Sequence, residues 1–150
     1  MNANKKLHTV WMFTSLLIIA ALALSGCGGV PAKTKVYKVG ILVGLEFVTP
    51  IADGFKAGMA ELGYIEGENI IYDVQVVNFD IPTYQSVLKK FVEDKVDLIV
   101  VTPTEATIEA KIIAQDTNIP VVLTFAFTEG MGIIDSVREP GGNITGVRFP

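Results

Sequence analysis

Hydroxyl, carboxylate and phenyl groups supply most of the recognition chemistry in this sequence, and they fall at the ends of predicted strands. Thr102 and Thr104 flank Pro103 directly after the apolar run Val96–Val101. Their hydroxyls could donate to a carboxylate, aided by the free N–H groups and positive dipole end of a helix starting at Thr104. Thr104 could equally be only the N-cap of that helix. Glu105 in the same first turn suits the dipole and could pair with a ligand ammonium. Glu46 and Phe47 follow another apolar run, Val36–Val43, and could close over a ligand or form a plain exposed loop. Thr49 precedes Pro50 as a predicted N-cap. Phe125 and Phe127, at the end of Val121–Phe127, offer stacking surface on one face of a regular strand; packing into the core is the competing role.

The chemistry that is missing narrows the function further. His8 is the single histidine and Cys27 the single cysteine of the 150 residues. Both fall in or beside a segment that reads as a secretion signal. Lys5 and Lys6 precede the apolar stretch Val10–Leu24, and small residues follow at Ser25-Gly26. Leu24-Ser25-Gly26-Cys27 resembles the bacterial lipobox, in which cleavage precedes a cysteine that is then lipidated. That makes Cys27 the predicted lipidation site and residues 1–26 the predicted signal peptide. Residues 27–35, starting Gly28-Gly29, read as a flexible tether. The remaining chain has no histidine, so Ser–His or Cys–His catalysis and histidine-held zinc are not expected. Asp73, Asp80, Glu93 and Asp94 are scattered and make no paired-carboxylate site. Gly130-Met131-Gly132 lacks a dinucleotide-binding pattern. No catalytic residue, metal or cofactor is expected. Loss of Lys5 and Lys6 leaves ten basic against sixteen acidic residues, a net of −6, which argues against a nucleic-acid partner.

The elements that would hold these residues alternate. Strands are predicted at Val36–Val43, Ile70–Val77, Val96–Val101, Val121–Phe127 and Asn143–Val147. Helices are predicted from Thr49 to Leu62, from about Asp80 to Val92 and from Thr104 to Gln115, with a short one over Met131–Val137. Tyr84, Val87, Leu88, Phe91 and Val92 make a core-facing stripe. Ala106, Ala110 and Ala114 make a small-residue face that can lie close to a sheet. Repeated βα units imply an α/β fold with an open parallel sheet, order 2-1-3-4-5, and helices on both faces. A ligand site is then expected at the carboxyl ends of the strands, beside the reversal between the first and third.

Several segments resemble one family in order along the chain. Phe55-Lys56-Ala57-Gly58-Met59-Ala60-Glu61-Leu62-Gly63-Tyr64-Ile65-Glu66-Gly67-Glu68-Asn69 is similar to its "GF..GL.ELGY.EG.N" run, and Val96–Val100, Asn118–Val122 and Pro140–Val147 also match. The family is the ABC-transporter substrate-binding lipoproteins of type I periplasmic-binding-protein fold, some of which take up tryptophan or other aromatic amino acids. The resemblance covers about Tyr37 to Val147. It implies a lipid-anchored extracytoplasmic receptor that captures a small solute, such as an amino acid, between two lobes and hands it to a membrane permease. Residues 36–150 correspond to the first lobe, with the second expected to be absent from this chain. Members usually carry Thr-Asp-Pro where this sequence has Ala126-Phe127-Thr128, which again directs attention to the phenyl rings. Two other roles fit the same residues: a ligand-sensing input of an envelope signalling system, and an envelope enzyme relying on carboxylates alone.

Overall fold

The computed structural model describes residues 35–149; the predicted signal peptide, Cys27 and most of the tether lie outside the described residues. Five parallel strands, β1 (Tyr37–Val43), β2 (Ile70–Val76), β3 (Leu98–Thr102), β4 (Val121–Ala126) and β5 (Ile144–Arg148), form one sheet in the order β2-β1-β3-β4-β5. Three helices connect the first four strands: α1 (Thr49–Glu61), α2 (Ile81–Glu93) and α3 (Thr104–Ala114). No helix among the described residues is long and apolar enough to cross a membrane.

The two faces of the sheet are covered differently. On one, Leu42, Ile99, Val101 and Leu123 pack against Tyr84, Leu88 and Phe91 of α2 and against Ala106, Ala110 and Ala114 of α3. These α2 side chains are fully buried. Each contributes roughly 1.5–3 kcal/mol by leaving water. The alanine face of α3 allows the close approach that the sequence anticipates. The other face carries α1 alone, with Ile41, Val43 and Val100 meeting Ala52, Phe55 and Met59. The middle strand β3 is buried from Ile99 to Thr102, as expected of a strand covered on both sides.

Four details differ from the sequence reading. Residues 127–143 form no helix at Met131–Val137 but an irregular loop. Gly130 and Gly132 both take positive φ there, and Ser136 Oγ accepts from the Glu139 N–H, so the local polar groups stabilise turns instead. Lys111 Nζ donates to Gly132 O, and Ile133 is buried, which pins the loop to α3 and the core. Thr49 is not an N-cap: it already lies in α1, and its hydroxyl donates to Glu46 O at 2.6 Å. Thr104 is likewise inside α3, whose N-terminus has no side-chain cap. Lys35, read as the end of the tether, is bound to Asp97 at 2.6 Å and belongs to the same compact unit as the sheet.

Candidate solute site at the carboxyl edge of the sheet

In a parallel sheet all carboxyl ends fall on one edge, so the loops after the strands collect there. Gly44 sits at the point where strand order reverses. Its N–H donates to Thr102 O at 2.7 Å, and its carbonyl accepts from Tyr84 Oη at 2.6 Å and from the Phe79 N–H at 3.2 Å. Any Cβ at residue 44 would lie 2.6 Å from Tyr84 Oη, 2.7 Å from Pro103 Cδ and 2.9 Å from Thr102 O. Only glycine lets these three chain segments meet. Burial pushes the Tyr84 phenol above its usual range, so it remains a donor to Gly44 at neutral pH. Asn78 Oδ1 accepts from the Glu46 N–H at 2.9 Å and fixes the start of the next turn.

The predicted residues are distributed around this knot. Thr102 is 2% exposed, and its Oγ1 has no hydrogen-bond partner among the described residues. Thr104, also buried, accepts from the Phe127 N–H at 2.9 Å. Its hydroxyl therefore ties the end of β4 to α3 rather than capping its own helix. The N–H groups in the first turn of α3 consequently have no side-chain acceptor. Glu46 and Phe47 lie in the 3₁₀ turn Glu46–Val48, both exposed, with Phe47 at 72%. Glu105 is exposed in the first turn of α3. Thr49 directs its hydroxyl at Glu46 O and so supports that turn.

Phe125 and Phe127 are both exposed, which rules out the core-packing role considered for them. Leu123 on the same strand is buried, so a regular strand would bury Phe125 as well. Instead the β4–β5 register shifts between Thr124 and Ala126, and Phe125 adopts φ +53. The bulge reverses the phase: Ala126 and Thr128 turn inward, while both phenyl rings turn out. Phe149, just after β5, packs edge-on against each of them, with centroids 4.8 Å and 5.2 Å apart. An open apolar groove of about 450 Å³ lies here, lined by Ile51, Thr124, Phe125, Val147, Arg148 and Phe149. Arg148 is paired with Glu129 at its margin.

The sequence reading placed Gly44 at the start of a loop walling the site and Tyr84 on the core-facing stripe, where it is buried, but gave neither a part in the hydrogen-bonded knot; it missed Phe79 and Phe149. Gly44 follows a strand directly, a position where close backbone approach is common, so its part in the knot could have been found. Phe149 lay two residues beyond the last predicted element. Among the described residues no group of three or more His, Cys, Asp or Glu side chains could hold a metal.

Residues 38–148 match the profile of the ABC transporter substrate binding protein family. The chain belongs to that family. This ABC transporter substrate-binding chain is 39% identical over 95 residues to a tyrosine-binding protein of Clostridioides difficile strain R20291, an alignment covering 62% of this chain and 27% of that one. Its fold is similar to the ligand-free, open structure of a substrate-binding protein with adhesive properties from Clostridium difficile, with TM-score 0.68, 32% identity, and coverage of 74% of this chain and 38% of the other. It is also similar to a domain from Streptococcus pneumoniae in complex with L-Trp, with TM-score 0.69, 26% identity, and coverage of 76% and 39%. The chain thus spans about a quarter of the curated relative and about two fifths of the solved ones. The architecture is that of one lobe of a type I periplasmic binding protein, with the strand order expected.

Proposed function

We propose that the carboxyl edge of this sheet is one wall of the solute site of an extracytoplasmic receptor serving an ABC importer, and that the solute is an amino acid with an aromatic side chain. The observation that carries the reading is the Thr102 hydroxyl: buried, unpartnered, and adjacent to the uncapped N-terminus of α3. An enclosed hydroxyl without a partner costs about 1–3 kcal/mol. A solute carboxylate offers that partner, and it also meets the N–H groups and dipole of α3. Glu46 and Glu105 supply negative charge for an ammonium group. Phe47 on one side of β3 and Phe125 with Phe127 on the other supply apolar surface for the side chain. Two relatives, one a tyrosine-binding protein and one solved with L-Trp, support the choice of an aromatic amino acid.

In this reading Cys27 carries the lipid that keeps the receptor at the membrane, and a permease receives the solute. Recognition needs no bond breaking, so no residue is assigned a catalytic role.

Thr102→Val tests the reading, because it keeps the shape and removes the hydroxyl. Folding stability should stay level or rise by up to about 1 kcal/mol, since no protein hydrogen bond is lost. Affinity for L-tyrosine and L-tryptophan, followed by NMR titration, should fall about tenfold or more. Unchanged affinity with unchanged stability would remove Thr102 from the site, and the carboxylate assignment with it.

A further inference from the structure

Among the described residues three non-glycine residues take positive φ: Phe79 (+52), Lys95 (+52) and Phe125 (+53). Lys95 follows the last turn of α2, where such a conformation commonly ends a helix. The two phenylalanines need another reason. A left-handed backbone costs a residue with a bulky side chain about 1–2 kcal/mol, whereas asparagine or glycine adopts it readily. Phe79 recovers nothing from the core: it is 56% exposed and belongs to neither apolar cluster. A short polar turn before α2 would satisfy the chain without the ring.

The position of Phe79 supplies the reason. Its N–H donates to Gly44 O at 3.2 Å, and the Gly44 N–H donates to Thr102 O at 2.7 Å. Two hydrogen bonds therefore connect Phe79 to the residue bearing the orphan hydroxyl. Asn78, its neighbour, holds the Glu46 turn. Phe79 follows β2 and Thr102 ends β3, with β1 between them. Two strand spacings, about 10 Å, separate the ends of these strands. A solute with its acidic group at Thr102 and a flat body lying across the end of β1 spans that distance.

We propose that Phe79 is a specificity-determining residue of the solute site: its left-handed backbone, anchored through Gly44 to Thr102, presents an exposed phenyl ring that selects solutes with a flat apolar body. The inference rests on the solute-site reading above and adds to it a wall on the β2 side. Five phenylalanines, Phe47, Phe79, Phe125, Phe127 and Phe149, then lie at or just after the carboxyl ends of four of the five strands, and β3, with its threonines, lies among them.

The experiment is an NMR titration of the isotopically labelled full chain with L-tryptophan, L-tyrosine and L-isoleucine, in the wild type and in four variants. Phe79→Trp should bind L-tryptophan within about threefold of wild type. Phe79→Leu should lose about tenfold for the two aromatic solutes and little for L-isoleucine, because volume is kept and the flat face is lost. Phe79→Asn and Phe79→Gly should lose the same selectivity while their melting temperature holds or rises, since both residues accept the backbone conformation. A fall in melting temperature with selectivity unchanged would make Phe79 merely structural and overturn the inference. Perturbations at Thr102 and Phe125 with wild-type selectivity in Phe79→Leu would overturn the inference and leave the solute site standing. No perturbation at this edge by any of the three solutes would overturn the solute-site reading, and Phe79 would fall with it.

Discussion

The two ends of the sheet are built from opposite materials. At the amino end, charges are present and matched. Asp97 takes the Lys35 ammonium on one carboxylate oxygen and the Lys38 N–H on the other, while its own N–H donates to Lys38 O. On the outer side of β2, Asp73 and Asp94 share Lys90. At the carboxyl end five phenyl rings gather, four of them exposed, and the buried hydroxyl of Thr102 is unmatched; the other unmatched buried hydroxyl among the described residues, that of Tyr72 in β2, lies in the apolar cluster that includes Phe55 of α1. A domain optimised for stability alone would treat both ends like the first. The difference marks which end has work to do beyond folding, and it predicts that substitutions at the two ends separate stability from binding differently.

Tyr84 should give the largest effect, because it serves both the core and the knot at Gly44. Tyr84→Ala should cost about 3–5 kcal/mol in chemical denaturation and abolish solute binding. Tyr84→Phe should cost only about 1 kcal/mol, the worth of its hydroxyl contact with Gly44. If the phenylalanine variant is as damaging as the alanine one, the hydroxyl matters far more than a single bond allows. Gly44→Ala comes next: a Cβ pressed against the Thr102 carbonyl should cost about 1–3 kcal/mol and also displace the loop after β1 from the site. Equal stability loss with intact L-tryptophan binding would show that the knot does not position the site. Thr104→Val should cost about 1 kcal/mol by leaving the Phe127 N–H unpaired, in contrast to the neutral Thr102→Val two residues earlier.

The smallest effect belongs to the amino end. The Lys35 ammonium, with the Lys38 N–H, holds the Asp97 carboxyl below its ordinary range. Its contribution is therefore complete above the unfolded carboxylate value of about 3.9 and is lost as pH falls through the lower folded value. Asp97→Asn should flatten that acid limb in a pH series of denaturation midpoints and leave solute affinity unchanged. Any loss of binding in Asp97→Asn would break the division of labour between the two ends.

Most of the fold was legible in the sequence, because strand and helix periods alternate and parallel βα units admit few arrangements. The burial of β3, the stripe on α2 and the alanine face of α3 each follow from local patterns. The site was legible only in outline. Thr102 and Thr104 stood out as hydroxyls at a strand–helix junction, but the acceptor role of Thr104 depends on Phe127, 23 residues away. Phe125 and Phe127 were read as facing together, and they do, but a bulge turns the pair outward where regular alternation from Leu123 would have turned it into the core. Phe79 gave no signal: in Asn78-Phe79-Asp80 nothing distinguishes a left-handed phenylalanine from an ordinary turn residue. The Met131–Val137 helix failed because glycines and a Ser136–Glu139 turn outweighed a weak apolar period.

The double use of the Gly44 carbonyl has a kinetic consequence. Because one oxygen receives donors from two segments and the adjacent amide grips a third, the loops behind β1, β2 and β3 are ordered in advance of any encounter. The entropy that arriving solute would otherwise have to remove from them has already been surrendered during folding. Affinity differences among variants of this rim should accordingly appear as altered residence times, with association rates nearly constant.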